Sequence, residues 1–139
     1  MILLDTNICV RILRGEREAL AFYKRLRGNL AIPFMVVGEL YYGAEHSKNP
    51  ERGRLGVEKF LEPLPIYDTT QAIMCKFGEC KAKLAAKGQI VEDADILIAA
   101  TALTFSCPLA TENVRHFERF EDLEIQDWKA QDFKEEETR

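Results

Sequence analysis

The sequence predicts a single α/β domain built on a mainly parallel central sheet of about five short strands flanked by helices. Three observations predict it. Short apolar stretches of strand length recur along the chain, separated by longer segments of helical periodicity. Acidic and polar residues stand directly after two of those strands, where an open parallel sheet forms its ligand crevice. A chain of 139 residues, 47% hydrophobic and 30% charged, has the size and balance of one globular core.

Each element follows in order. MILLD at 1–5 is a strand, with Asp5, Thr6 and Asn7 closing it. ICVRILRG at 8–15 is a short helix stopped by Gly15, and EREALAFYKRLRGN at 16–29 a longer one stopped by Gly28 and Asn29. NLAIP at 29–33 is a second strand that Pro33 ends. FMVVGELYYGAEHS at 34–47 is a helix apolar on nearly every side except at Glu39, and Asn49-Pro50 opens another over 49–63. LPIYD at 64–68 is a strand. Thr69 to Lys87 is a long helix whose stripe is Ile73, Met74, Phe77, Cys80 and Leu84, stopped by Gly88. DADILIAATALTF at 93–105 is an apolar helix, CPLAT at 107–111 a fourth strand and LEIQDW at 123–128 a fifth. The domain covers 1–130, and the acidic stretch 131–139 is a frayed tail.

Composition excludes several classes. No apolar run approaches the roughly 20 residues that span a bilayer, and no basic segment leads into an apolar core at the N-terminus, so a cytoplasmic location is the expectation. Cys9, Cys75, Cys80 and Cys107 form no CxxC pair, and His46 and His116 lie far from them in sequence. That argues against a zinc site and leaves the cysteines as small buried hydrophobes. A net charge of −4 argues against a general nucleic-acid binder. Basic residues still cluster at 11–27 and again at Lys76, Lys81, Lys83 and Lys87, either as solvated faces or as phosphate contacts.

The acids in apolar company carry the chemistry. Asp5 ends the first strand, either capping a helix or joining a metal-binding cluster. Glu39 is a lone carboxylate on an apolar helix, costly to bury unless hydrogen-bonded, paired or bound to a metal. Asp93 and Asp95 open a late helix, where acids complement the helix dipole. Asp93 suits the cap, Asp95 faces about 200° away from it, and Glu92 is a spare candidate on Asp95's face. Thr111, Glu112 and Asn113 follow the fourth strand.

Singly each acid is ambiguous, but LLDTNI at 3–8, VVGELYYGA at 36–44, DADILIAATAL at 93–103, PLATENVRHF at 108–117 and LEIQDW at 123–128 together resemble the PIN-domain ribonucleases, and among them the VapC-type toxins of toxin–antitoxin pairs. The resemblance implies a Mg2+- or Mn2+-dependent endoribonuclease that leaves a 3′-hydroxyl and a 5′-phosphate. It places the metal-holding acids at Asp5, Glu39 and Asp95, and a fourth catalytic position at Asn113, where many relatives carry Asp. Thr6, Asn7 and Thr111 would orient ligands and water, and Glu112 is a possible replacement for the missing fourth acid. It also implies RNA as substrate, a VapB-like antitoxin as partner, and a homodimer or a larger hetero-oligomer with that antitoxin. Helices at 16–27 and 52–61, with Phe22, Tyr23 and Phe60, are candidate partner surfaces or ordinary core. A processing nuclease without antitoxin and a catalytically silent binding module are the alternatives. A phosphatase with Asp5 as nucleophile lacks its second Asp, since Asn7 stands there.

Overall fold

The computed structural model describes residues 1–129. The expected tail over 131–139 lies outside the described residues. Five strands, β1 (Ile2–Leu4), β2 (Leu30–Pro33), β3 (Ile66–Tyr67), β4 (Leu109–Ala110) and β5 (Ile125–Gln126), form one sheet in the order β3-β2-β1-β4-β5. Every pairing is parallel, with Leu3 opposite Ala31 on one side and Leu109 on the other. The helices among the described residues are α1 (Thr6–Leu13), α2 (Arg17–Arg25), α3 (Phe34–Glu45), α4 (Pro50–Leu61), α5 (Gln71–Ala86), α6 (Asp93–Thr104) and α7 (Val114–Phe117).

The strand order fixes where a site can form. β1 is the central strand, the chain builds outward from it through β2 to β3, then returns to its other side for β4 and β5. The chain leaves β1 for β2 on one side and returns from the edge strand β3 to β4 on the other, so a crevice opens at the carboxyl ends of β1 and β4. All residues of β1, β2 and β4 are buried. That is why their sequences read as short continuous apolar runs rather than alternating ones.

The helices begin and end for local reasons. Asn49 accepts a hydrogen bond from the Arg52 N–H (3.1 Å) and Pro50 fills the first position of α4. Thr70 does the same for α5 through the Ile73 N–H (3.3 Å). Gly28 (φ +90°) and Gly88 (φ +70°) turn the chain after α2 and α5 in the left-handed region that only glycine adopts freely. Where α3 crosses α4, a Cβ on Gly53 would stand 3.1 Å from Ala44 Cα, so the missing side chain sets the spacing of the two helices. Phe22 of α2 meets Trp128 edge to face at 6.4 Å, tying α2 to the segment after β5.

Several expectations are corrected. α1 begins at Thr6, two residues earlier than predicted, because Asp5 occupies its N-cap position. Glu92, not Asp93, stands at the N-cap of α6, and Asp93 turns outward to Lys81 at 2.9 Å. α7 was not foreseen. Met74 is 46% exposed, since it lies one residue and so about 100° off the stripe of Ile73, Phe77, Cys80 and Leu84. Of the cysteines only Cys9 is buried; Cys75 is exposed. Phe22 is fully buried and therefore core, while Tyr23 and Phe60 pack on each other at 6.2 Å. Exposed apolar side chains include Leu55 on α4, and Phe34 and Tyr42 on α3, so α3 is less enclosed than its sequence implies.

Replacing Phe22 by Ala removes the ring against which Trp128 rests. It should lower the unfolding free energy by about 3–5 kcal/mol, read from urea denaturation followed by far-ultraviolet circular dichroism.

Candidate active site

β1 delivers Asp5 to the crevice. The Asp5 N–H donates to Ala110 O at 3.0 Å, carrying the β1–β4 ladder one residue past the strands. The chain then enters α1, and Asp5 Oδ1 accepts from the Thr6 N–H at 2.8 Å. Asp5 Oδ2 accepts from the Thr111 hydroxyl at 2.7 Å, and that same hydroxyl oxygen accepts from the Asn113 N–H at 3.0 Å. Asp5 is thus both a helix cap and a member of an acidic group.

Thr6 serves two acids. While its N–H caps onto Asp5, its hydroxyl donates to Glu39 Oε1 at 2.6 Å, reaching from α1 to the middle of α3. Asp95 lies in the first turn of α6, and its Oδ2 is 2.9 Å from His116 Nε2 on α7. A carboxylate only accepts hydrogen bonds, so the imidazole Nε2–H is the donor. Four elements that are distant in sequence therefore meet around three carboxylates.

Burial and mutual charge set the electrostatics. Asp5 is 5% exposed. Burial pushes its carboxyl above the ordinary range; the bonds from Thr111 and Thr6 pull the other way, and the charges of Asp95 and Glu112 add to the rise. Glu39 is raised as well, first by desolvation, with Thr6 opposing and Asp5, Asp95 and Glu92 adding to it. The half-buried Glu39 is thus held in the field of the other two acids. Burial and the nearby Asp5 charge also push the Cys9 thiol well up, so Cys9 is a packing residue rather than a nucleophile.

The remaining candidates divide. Thr111 is buried and central to the network. Asn113 is exposed and enters through its backbone N–H. Asn7 is exposed, and its side chain joins none of the hydrogen bonds around the acids. Glu112 is held by Arg11, whose Nε and Nη2 reach the same Oε2 at 2.7 and 2.6 Å. Arg11 also meets Glu16 at 3.2 Å and lies 5.5 Å over the Trp128 ring. His116 and Arg11 are the residues that sequence reasoning missed. The spacing of His116 gave no signal because α7 is a single turn without apolar periodicity, and Arg11 looked like one more basic residue of a solvated face.

The donors that converge here are oxygens throughout, the set that hard divalent cations prefer. Among the described residues no three Asp, Glu, His or Cys side chains close around a single point. Three anions that repel one another are not expected to do so on their own. A cavity of about 380 Å³ lies away from the acids, between α5, the end of α6 and residues 119–124. None of Asp5, Glu39 and Asp95 lines it. The second basic run is mostly paired: Lys76 with Glu79, Lys81 with Asp93 and Lys87 with Glu121.

This fold and its acidic crevice define a class. The PIN domain model matches residues 2–123, and the chain belongs to the PIN-domain family. Within it the chain is similar to the VapC proteins. Ribonuclease VapC2 of Haemophilus influenzae is 37% identical over 127 residues, covering 91% of this chain and 96% of the relative. The tRNA(fMet)-specific endonuclease VapC of Shigella flexneri is 33% identical over 127 residues, with the same coverage of each chain. In the crystal structure of DNA-bound VapBC from Salmonella typhimurium, the matching chain superposes with a TM-score of 0.87 at 32% identity, covering 91% of this chain and 97% of that one. No helix among the described residues is long and apolar enough to cross a membrane.

The raised carboxyls have a consequence for stability. Asp5 and Glu39 bind protons more tightly in the folded protein than in the unfolded chain, so stability falls as pH rises from the ordinary carboxylate range through their folded values. Asp5→Asn should therefore raise the melting temperature of the protein in EDTA by roughly 2–5 °C near pH 7, with the gain vanishing near pH 4, by differential scanning fluorimetry.

Proposed function

We propose that this protein is a Mg2+- or Mn2+-dependent endoribonuclease acting as the toxin of a VapBC-type pair. The observation that carries the proposal is that Asp5, Glu39 and Asp95, each held by a donor from another element, lie near enough to feel one another's charge. Membership of the PIN-domain family and relatives named as ribonuclease and endonuclease support the same reading.

Asp5, Glu39 and Asp95 are the groups that hold the cation. Magnesium keeps several waters and takes only one or two protein carboxylates directly, so an open arrangement of three acids fits it. When bound, a divalent cation supplies a water nucleophile near neutral pH and positive charge opposite the attacked phosphodiester. The protein's part is orientation. Thr111 and Thr6 fix the rotation of Asp5, and Thr6 also that of Glu39. Asn113 is neutral and adds no charge to that of the three acids. Asn7 lies beside the acids as a neutral polar group available to substrate. Glu112 stays with Arg11 and takes no direct part.

RNA reaches the crevice as a single strand or loop, where an unstacked phosphodiester is accessible. The relatives named for tRNA(fMet) make transfer RNA the first substrate to try. A VapB-like antitoxin is the inhibitory partner, which the likeness to the VapBC structure supports. A shallow apolar groove lined by Val37, Tyr41, Leu55 and Ile66 continues through Val37 to Phe34, Met35 and Leu97. It is the surface offered to that partner or to a second copy in a homodimer.

Purified protein should cut transfer RNA with Mg2+ or Mn2+ and stop in EDTA, on denaturing gels. Asp5→Asn and Asp95→Asn should each lower the rate by about 100-fold or more at unchanged fold. Wild type and Asp5→Asn cutting alike would sink the acidic-site nuclease. Glu112→Gln is the contrasting variant: because Arg11 holds that side chain, cleavage should stay within about three-fold of the parent.

A further inference from the structure

The acids of the site differ in what holds them. Asp5 is held by an amide and a hydroxyl, and Glu39 by a hydroxyl. Asp95 sits in a turn reading Asp93, Ala94, Asp95, Ile96, Leu97, which offers it no side-chain donor of its own. Its hydrogen bond comes from across the crevice, from His116 Nε2 at 2.9 Å.

The imidazole is itself fixed. α7 is one turn long, and Phe117 pins it to the core at 1% exposure, packing on Phe120 at 5.9 Å. The His116 ring stands edge-on to Phe117 at 5.5 Å and 89°, and its backbone N–H donates to Asn113 O at 3.2 Å. The ring is 23% exposed and the carboxylate 27%, so the bond between them lies on the sheltered edge of the crevice.

We propose that His116 is the positioning residue for Asp95, occupying Oδ2 so that Oδ1 is the oxygen presented to the cation. The proposal rests on the acidic-site reading above and deepens it. Without that donor, a carboxylate facing Asp5 and Glu39 would rotate away from their charge, and the energy of drawing it back would come out of cation binding. Because the cation would take only one or two protein carboxylates directly, the loss of one correctly aimed oxygen weighs heavily.

The test is Mn2+ binding to the full chain by calorimetry, without RNA, for the parent, His116→Leu, His116→Gln and Asp5→Asn. Leu keeps the bulk without a donor, whereas the Gln amide N–H can still reach Asp95. His116→Leu should weaken Mn2+ about ten-fold or more, and His116→Gln should recover most of the affinity. Melting temperatures in EDTA should be alike for the parent and both His116 variants. In RNA cleavage the Leu variant should need more Mn2+ yet approach the parental rate once Mn2+ saturates. Parental affinity in His116→Leu overturns the proposal, as does an equal loss in Leu and Gln, which would make the imidazole a ligand in its own right. Unweakened Mn2+ binding by Asp5→Asn would instead overturn the acidic-site reading itself, whatever the His116 variants do.

Discussion

The structure turns on a carboxylate withdrawn from water at the end of its central strand. Burying Asp5 opposes folding, and two hydrogen bonds offset that, one from the next residue and one from Thr111 after β4. Bonds to a charged acceptor contribute about 1.5–3 kcal/mol each, the same order as the desolvation they answer. That ties the acid to the sheet: Asp5 keeps both bonds only where β1 and β4 stay in register. The Thr111 hydroxyl extends the coupling by accepting from Asn113, so the strand ends and the turn into α7 form one hydrogen-bonded unit. Crevice geometry and sheet geometry are therefore one property.

The charges around this unit are sorted by the kind of partner they have. Acids on the outer surface meet cations: Glu112 and Glu16 meet Arg11, Asp93 meets Lys81, and Glu121 meets Lys87. The acids inside the crevice meet hydroxyls and an amide, with an imidazole at Asp95. A hydroxyl or amide donor fixes the direction of a carboxylate without cancelling its charge. The crevice thereby keeps the charge of its acids, while several acids outside it are matched by cations. Arg11 stands at the boundary, holding Glu112 out of the crevice and covering Trp128.

What was legible in the sequence was whatever a local pattern encodes. Buried parallel strands declare themselves as short apolar runs, and Glu39 was visible because a carboxylate is conspicuous on a helix such as α3. The order of the acids along the chain carried the resemblance to the PIN domain. Contacts between distant residues were not legible. The bond from His116 to Asp95 spans 21 positions and that from Arg11 to Glu112 spans 101, and neither leaves a periodicity. Helix ends blurred for another reason: Glu92, Asp93 and Asp95 all suit the start of a helix, and only the outward pull of Lys81 distinguishes them. α3 misled because its apolar residues serve an exposed face as well as the core.

The position of β1 carries one last consequence. It is the first strand of the sheet in chain order and the one that must wait longest, since its neighbour β4 and the Thr111 that steadies Asp5, 106 positions away, come near the end of the domain. Loops closed over such distances form late in folding. Through most of its synthesis the nascent chain has Asp5 and Glu39 but no far wall to the crevice. A chain that stops short of β4 lacks the Thr111 hydroxyl that holds Asp5, so completing the sheet is what completes the crevice.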